Sequence, residues 1–391
     1  MASAGGLHTV LLRSDGTAVA CGRNKDGQCN VPSLDAGNTY TQASAGARHT
    51  VLVRKDGTAV ACGSNDFGQC HVPALEEGQK YVRVSAGQQH TVLLKSDGTA
   101  VACGLNEHGE CDVPALGEGQ AYTQVSAGSC HTVLLRSDGS AVACGRNRDG
   151  QCDIPALDRG LAYIQVSAGL QHTVLLRSDG AAVACGLDGF GQCNVPCLID
   201  GQIYTQVSAG GLHTVLLRSD GSAVACGRNE HGQCHIPALS RGQSYTQVSA
   251  GLEHTVLVRS DGTAVACGSN EFGRCSIPSL IALQVPRSES VAQLRNLLVQ
   301  LSCTRPTDGQ YSLVCISLGG EELCRLSCPM AESAAAAQSR IAQSLKVNLS
   351  CLKIVLPDAT LLSDLPPSTL VISKLQSSDV EALGPHAVPD D

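Results

Sequence analysis

Ser126-Ala-Gly-Ser-Cys-His131-Thr-Val-Leu-Leu-Arg136-Ser-Asp-Gly139-Ser-Ala-Val-Ala-Cys144-Gly145-Arg-Asn147-Arg-Asp-Gly-Gln-Cys152 is one copy of a pattern that the chain writes seven times. Its histidine recurs as His8, His49, His90, His131, His172, His213 and His254, always 41 residues apart, without an insertion or deletion. His-Thr-Val-Leu-Leu-Arg is rich in β-branched and apolar residues and too short for a stable helix, so it reads as a strand. Asp-Gly, as in Asp15-Gly16 and Asp97-Gly98, allows positive φ and closes a hairpin. Ala-Val-Ala-Cys then returns as the partner strand. An Asn-x-x-Gly turn and a proline (Pro32, Pro73, Pro114) lead on to an outer strand that starts with Tyr40, Tyr81, Tyr122, Tyr163, Tyr204 or Tyr245. Forty-one residues suit three or four short antiparallel strands, which is one propeller blade.

Composition agrees with a β-architecture. Of the 391 residues 42 are glycine, spaced as turns require, and 43% are apolar, enough for a packed core. Only 3% are aromatic and none is Trp, so that core must use small and branched side chains. The net charge of −8 and pI of about 5.8 argue against a nucleic-acid or anionic membrane surface, which wants clustered Lys and Arg. No stretch approaches the ~20 apolar residues of a membrane span. Met1-Ala-Ser-Ala-Gly-Gly lacks the basic-then-apolar order of a secretory signal, so a cytoplasmic protein is expected, with the nucleus as the alternative.

Seven units could stack as an open solenoid or close as a ring. A solenoid needs polar terminal caps, yet the end repeats here are as apolar as the middle ones. Closure is expected. Only six Tyr segments exist, however, and before Ser3 only Met1 and Ala2 remain. The substitute expected from the sequence is Ile281-Ala-Leu-Gln-Val285, pairing with the first blade.

Ser-Ala-Gly-x-x-His-Thr-Val-Leu-Leu, followed by Asp-Gly-x-Ala-Val-Ala-Cys-Gly-x-Asn-x-x-Gly-Gln-Cys, resembles the regulator-of-chromosome-condensation repeat. The resemblance spans residues 1–285 and implies a seven-bladed β-propeller. The family repeat usually carries Trp where Cys21, Cys62 and their equivalents stand, and often Leu where Cys29 and Cys70 stand. The Trp-Asp signature of the other common propeller repeat is absent.

The chain holds 21 cysteines, fourteen of them at those two repeat positions. They could join the repeat histidine as zinc ligands. Structural zinc sites favour two to four residues between cysteines, but seven separate Cys21 from Cys29. Small buried hydrophobes are therefore expected, with no metal and no cofactor. A histidine repeated seven times reads as a bridge between strands by a backbone hydrogen bond, not a catalyst, and no Ser-His-Asp, paired-carboxylate or phosphate-loop constellation stands out. The chain reads as a non-enzyme.

Against this constant framework two pairs of positions vary. The second member of the first pair, just before the histidine, is Leu7, Arg48, Gln89, Cys130, Gln171, Leu212 or Glu253. The second pair, inside the Asn-x-x-Gly turn, ends in Asp26, Phe67, His108, Asp149, Phe190, His231 or Phe272. Loops on a rigid scaffold are where binding specificity is placed. Arg48, Phe67, Gln89, His108, Gln171, Phe190, His231, Glu253 and Phe272 are the candidate partner-binding residues. The three phenylalanines, the only ones in the chain, are either anchors for a partner or packing between blades.

Past Pro286 the repeat stops. Residues 288–301 read as a helix with Val291, Leu294, Leu297, Leu298 and Leu301 on one face, so 286–310 is expected to be a helical linker. Strands are expected at 311–317, 322–326, 352–356, 360–362 and 369–372, and a helix at 333–345. With Leu362-Ser-Asp364 and Ser368-Thr-Leu370, residues 311–375 resemble ubiquitin's α+β β-grasp. That resemblance would place a recognition patch on Leu318, Val355 and Val371. Residues 376–391 are polar and acidic, and are expected to be a disordered tail.

The function expected is a protein-interaction scaffold, acting as a monomer through its rim loops. Propellers of the resembled family also occur beside HECT ligase domains, and one member is an exchange factor for a small GTPase. A partner-binding adaptor in ubiquitin ligation is therefore the alternative, and a guanine-nucleotide exchange factor the second alternative. Neither a nucleic-acid nor a membrane partner is expected.

Overall fold

The structure is a computed structural model that describes residues 1–278 apart from 36 and 200, together with the backbone of 298–304, 311–317, 322–328 and 353–355. Two compact units result, Met1–Leu283 and Gln284–Asp391.

Unit one consists of seven three-stranded antiparallel sheets, one per repeat. Blade 4 is representative, with strands Tyr122–Ala127, His131–Arg136 and Ala141–Gly145 in that spatial order. The Asp138-Gly139 hairpin joins the last two, and Gly139 takes the positive φ (81°) that the turn requires. The Tyr segment is the innermost strand, not the outer one that the sequence suggested. Successive inner strands touch one another, and their Ala-Gly ends line a small cavity on the axis. Ala-Val-Ala-Cys-Gly lies outermost and half-buried, where short side chains suffice.

The core sits between blades. Val133 and Leu135 of blade 4 pack on Tyr163, Val166, Ala168 and Leu175 of blade 5. Each Tyr hydroxyl also donates to the carbonyl of the proline eight residues earlier, as Tyr163 does to Pro155 at 2.8 Å. That bond ties each connector to the next inner strand.

The ring is closed. Ala2–Ala4 forms the inner strand of blade 1, three residues where the other blades have six, and pairs with His8–Leu12 in the register Ala2↔Leu11, Ser3↔Val10, Ala4↔Thr9. Blade 1 therefore has its inner strand despite the missing tyrosine. Ala2, Ala4 and Leu11 pack on Val256 and Val258 of blade 7. The segment 281–285, expected to fill this place, lies outside the described residues.

In the second unit the described backbone forms a four-stranded sheet in the order 322–328, 311–317, 298–304, 353–355. Tyr311–Ser317, Glu322–Cys328 and Lys353–Val355 fall where strands were expected. The helix expected over 288–301 is corrected at its end. Leu298–Thr304 is a strand, antiparallel to Tyr311–Ser317 and parallel to Lys353–Val355. Leu-Val-Gln-Leu-Ser-Cys-Thr alternates apolar and polar from Val299 on, and pairing with the apolar 311–317 run overrides its helical spacing. The sheet thus begins at 298, inside the expected linker. The expected helix 333–345, the strands at 360–362 and 369–372 and the tail lie outside the described residues.

Candidate functional site

Each blade presents two ends. One carries the Asp-Gly hairpins; the other carries the residues before each histidine and the Asn-x-x-Gly turns, so both variable pairs share one face.

Rings of inter-blade hydrogen bonds hold that face rigid. Each histidine is fully buried, and its Nε2 lies 2.8–3.0 Å from a threonine Oγ1 in the next blade, as His8 does with Thr50. Thr50 Oγ1 donates its hydrogen to the Gln28 carbonyl at 2.7 Å, so it must accept from a protonated His8 Nε2. That bond fixes the Nε2–H tautomer, and burial keeps the imidazoles neutral, holding His8 down to about 4 and His49 to about 3. The seven histidines do bridge strands, but those of neighbouring blades and through a threonine hydroxyl instead of the expected backbone hydrogen bond. Gly46 explains the glycine three residues ahead, because a Cβ there would lie 2.6 Å from His49 Cε1.

The turns are pinned too. Asn24 Oδ1 accepts the Cys29 amide at 2.9 Å, and Gln28 Oε1 accepts the Asp26 amide at 3.1 Å. With the backbone held this way, the variable side chains project outward. Phe67, Phe190 and Phe272 remain 43%, 48% and 47% exposed. Arg48 and His108 are exposed as well, and Gln89 is half-buried.

Across blades the two variable pairs meet. Gln171 of blade 5 donates to Asp149 in the turn of blade 4 at 3.1 Å. His231 of blade 6 lies 3.7 Å from Glu253 of blade 7. Ser129 bonds Gln88, joining blades 4 and 3. An annulus of variable residues results, around an axial cavity of about 140 Å³ bordered by Gln88, Ser129, Leu170 and Leu252. Two of the phenylalanines also stack under an arginine of the next blade: Arg228 lies 5.5 Å from the Phe190 ring and Arg23 5.8 Å from the Phe272 ring. These two pack between blades, the second of the expected roles, with about half their surface still exposed.

Two residues escaped the sequence reading. Arg274 occupies the place held by glutamine in five repeats and by Glu110 in another, and it is fully buried at the seam of blades 7 and 1. Its guanidinium donates to Gly6 O and Ser269 O at 2.9 Å and to Glu253 at 3.1 Å. Arginine has no acceptor to offer the Phe272 amide, unlike Gln192, whose Oε1 holds the Phe190 amide at 3.0 Å. That turn alone becomes a short 3₁₀ segment, Glu271–Gly273, with Phe272 at φ 62°, the only described non-glycine residue with positive φ. The second is Arg83, standing where other inner strands carry glutamine. A position-by-position comparison of repeats marks both.

The repeat cysteines are free thiols, half-buried instead of fully buried. Burial, with Cys29 and Cys275 beside it, pushes Cys21 up to about 12, and burial pushes Cys29 to about 11. Cys29 Sγ donates to Arg23 O at 3.3 Å. Among the described residues no group of three or more His, Cys, Asp or Glu side chains is arranged to hold a metal. Leu318 and Val371 lie outside the described residues, and Val355 ends the strand Lys353–Val355.

Similar structures share this architecture. Prp20p of Saccharomyces cerevisiae matches at 17% identity and a TM-score of 0.57, over 66% of this chain and 81% of that one. Human WBSCR16 matches at 17% and 0.57 over 66% and 86%. The CRINKLY ectodomain of the Arabidopsis thaliana receptor kinase ACR4 matches at 19% and 0.54 over 69% and 95%. No curated protein matches the chain. The profile of the regulator of chromosome condensation (RCC1) repeat matches seven times, at residues 2–28, 40–69, 81–110, 122–151, 163–192, 204–233 and 245–274. With more than half its length in these seven in-phase matches, the chain belongs to the regulator of chromosome condensation (RCC1) repeat family.

Proposed function

We propose that the protein is a non-catalytic interaction scaffold of the cell interior that binds a protein partner on the annulus of variable residues. The observation that carries this reading is the division of each repeat into a locked framework and two projecting pairs that meet across blades, as Gln171 and Asp149 do. Three phenylalanines in the turns of that face keep about half their surface exposed, available to a partner. The repeat histidines are buried and bonded within the framework. Prp20p, similar in fold, has binding properties toward Gsp1p and histones, so protein binding has a precedent on this scaffold.

Lysine-directed cross-linking of the affinity-purified full chain tests the proposal. Lys25 lies in a variable turn, whereas Lys55, Lys80 and Lys95 lie at the hairpin end. Partner cross-links are expected at Lys25, and replacing Phe67, Phe190 and Phe272 together by Ala should abolish capture without unfolding the chain. Cross-links confined to Lys55, Lys80 and Lys95, with capture by the triple variant intact, would move binding to the opposite face. Purified protein should not stimulate nucleotide release from a small GTPase; catalytic stimulation would replace the scaffold reading with exchange.

A further inference from the structure

The annulus contains one corner in two complete copies and a third copy with one residue changed. In the first, Phe190 of blade 5 lies under Arg228 of blade 6, whose guanidinium carbon is 5.5 Å from the ring centre, and Arg228 pairs with Glu230. The seam repeats the arrangement with Phe272, Arg23 and Asp26, where Arg23 is 5.8 Å from the ring centre and 3.8 Å from the carboxylate. In both, the negative face of a ring and a carboxylate hold a planar cation between them.

Between blades 2 and 3 the equivalent residues are Phe67, Leu105 and Glu107. Ring and carboxylate are kept, but leucine replaces the cation and ends at Cδ, short of where a guanidinium would lie. Phe67 is 43% exposed, and no cation lies over its ring among the described residues. Glu107 is exposed and makes no hydrogen bond or ion pair among them. No neighbour supplies the charge. Residues 64–71 and 105–112, which form the two turns, include Asp66, Glu107, Glu110 and Asp112 but no Lys or Arg. Gln88-Gln89 and Ser129-Cys130, ahead of the histidines of blades 3 and 4, carry none either. Glu110 is an independent mark of the same imbalance. It is buried, its Oε2 accepts the His108 amide at 2.8 Å, and its Oε1 has no hydrogen-bond partner among the described residues.

We infer that this corner receives an arginine of the partner, with its guanidinium over the Phe67 ring and against Glu107. The partner is thus a protein that presents arginine in a basic segment, because four carboxylates without a basic neighbour repel an acidic one. Arginine fits better than lysine: its planar group stacks on a ring while its edge meets a carboxylate, as Arg228 does. The inference rests on the annulus as the binding face and names the chemistry that the face selects.

Titration of the full chain with N-acetyl-arginine methylamide, followed at the amide resonances of Phe67 and Glu107, tests it. Saturable shifts are expected there with Kd on the order of 10 mM, and not at Phe190 or Phe272, whose rings already carry an arginine. The citrulline and lysine analogues should bind at least about fivefold more weakly. Leu105→Arg supplies the guanidinium from within, as Arg23, Arg146 and Arg228 already do at that position, so the fold is retained and binding should vanish. Glu107→Gln should weaken binding with the ring left in place. Equal shifts with either analogue, unchanged binding by L105R, or no shift at about 100 mM of the arginine amide overturns the inference. Its failure is separable from that of the scaffold reading. Partner capture that survives L105R but is lost with the three phenylalanines removes the arginine site and leaves the annulus. Cross-links confined to the hairpin-end lysines displace the annulus itself.

Discussion

Leu252 of the last blade donates its amide to the carbonyl of Gly5 in the first, at 3.1 Å. It is the seventh bond of a backbone ring in which Gly6 reaches Gly46, Ala47 reaches Gly87, and so on at 2.9–3.2 Å. Two more rings close in the same way, His254 with Thr9 at 2.8 Å and the Ala4 amide with Ser249 at 3.0 Å. The seam between the chain's first and last blades is thus joined by the same contacts as every covalently continuous pair. What it lacks is a tyrosine: its buried apolar cluster is Ala2, Ala4, Leu11, Val256 and Val258, with Val19, Ala264, Ala266 and Ile277 packed against it.

Thr9→Val and Thr91→Val should therefore destabilise alike. Each substitution leaves a buried histidine N–H without an acceptor, His254 in one case and His49 in the other, at a cost of about 1–3 kcal/mol. Denaturant unfolding of the two variants checks this. A thermally and chemically silent T9V beside a damaging T91V would mean that the seam is open in solution.

Stability should fall steeply with mild acid. The seven buried histidines are neutral in the fold, with values held at about 3 to 4, against 6.5 when unfolded. Below 6.5 the unfolded chain takes up protons that the folded chain refuses, so stability is intact above that pH and is lost as pH falls toward 4. Each histidine contributes about 1.4 kcal/mol per pH unit, and the ring together roughly 10. A domain stable by about 5–15 kcal/mol should unfold near pH 5. Urea midpoints measured from pH 8 to 5 check it; a flat profile would contradict the neutral ring.

Arg274→Gln should cost less stability than Arg274→Met and return the blade 7 turn to the form of the others. The new carboxamide can accept the Phe272 amide, and relief of the positive φ recovers about 1 kcal/mol. Arg274→Met should instead cost about 2–4 kcal/mol, because Glu253, Gly6 O and Ser269 O lose their donor. Thermal unfolding of both variants, with the Phe272 amide shift, separates them.

The repeat thiols should resist alkylation while the protein is folded. Burial raises Cys62 and Cys144 to about 12, which lowers their thiolate fraction at pH 8 by roughly 100-fold or more relative to a free thiol. Among the cysteines of the first unit Cys197 is exposed and should be labelled first. Mass spectrometry after brief iodoacetamide treatment reads the order. Chelator should leave Tm unchanged and elemental analysis should show no stoichiometric zinc.

Much of this molecule is legible in one repeat. The alternation of His-Thr-Val-Leu, Asp-Gly and Ala-Val-Ala-Cys specifies strands, turn and register locally, because side-chain period and glycine dihedrals are properties of neighbouring residues. Repetition seven times then implies the blades. The candidate annulus was legible for the same reason: the repeats act as controls for one another, and Phe67 or Glu253 shows as a departure.

Other features depend on residues far apart in sequence. That the Tyr segment is innermost, that Ala2–Ala4 completes blade 1, and that Leu298–Thr304 is a strand all follow from pairing partners, which no local pattern names. The meanings of Arg274 and Arg83 are of the same kind. A glutamine replaced by arginine is visible in the sequence, but that the lost group was an acceptor for an amide in the turn or in the next blade is geometry. The sequence by itself determined the blade and its count. Only the tertiary structure decided which donors and acceptors face each other across the ring, because the rings of bonds between blades join residues 40 or 42 positions apart, and 245 or 247 apart at the seam.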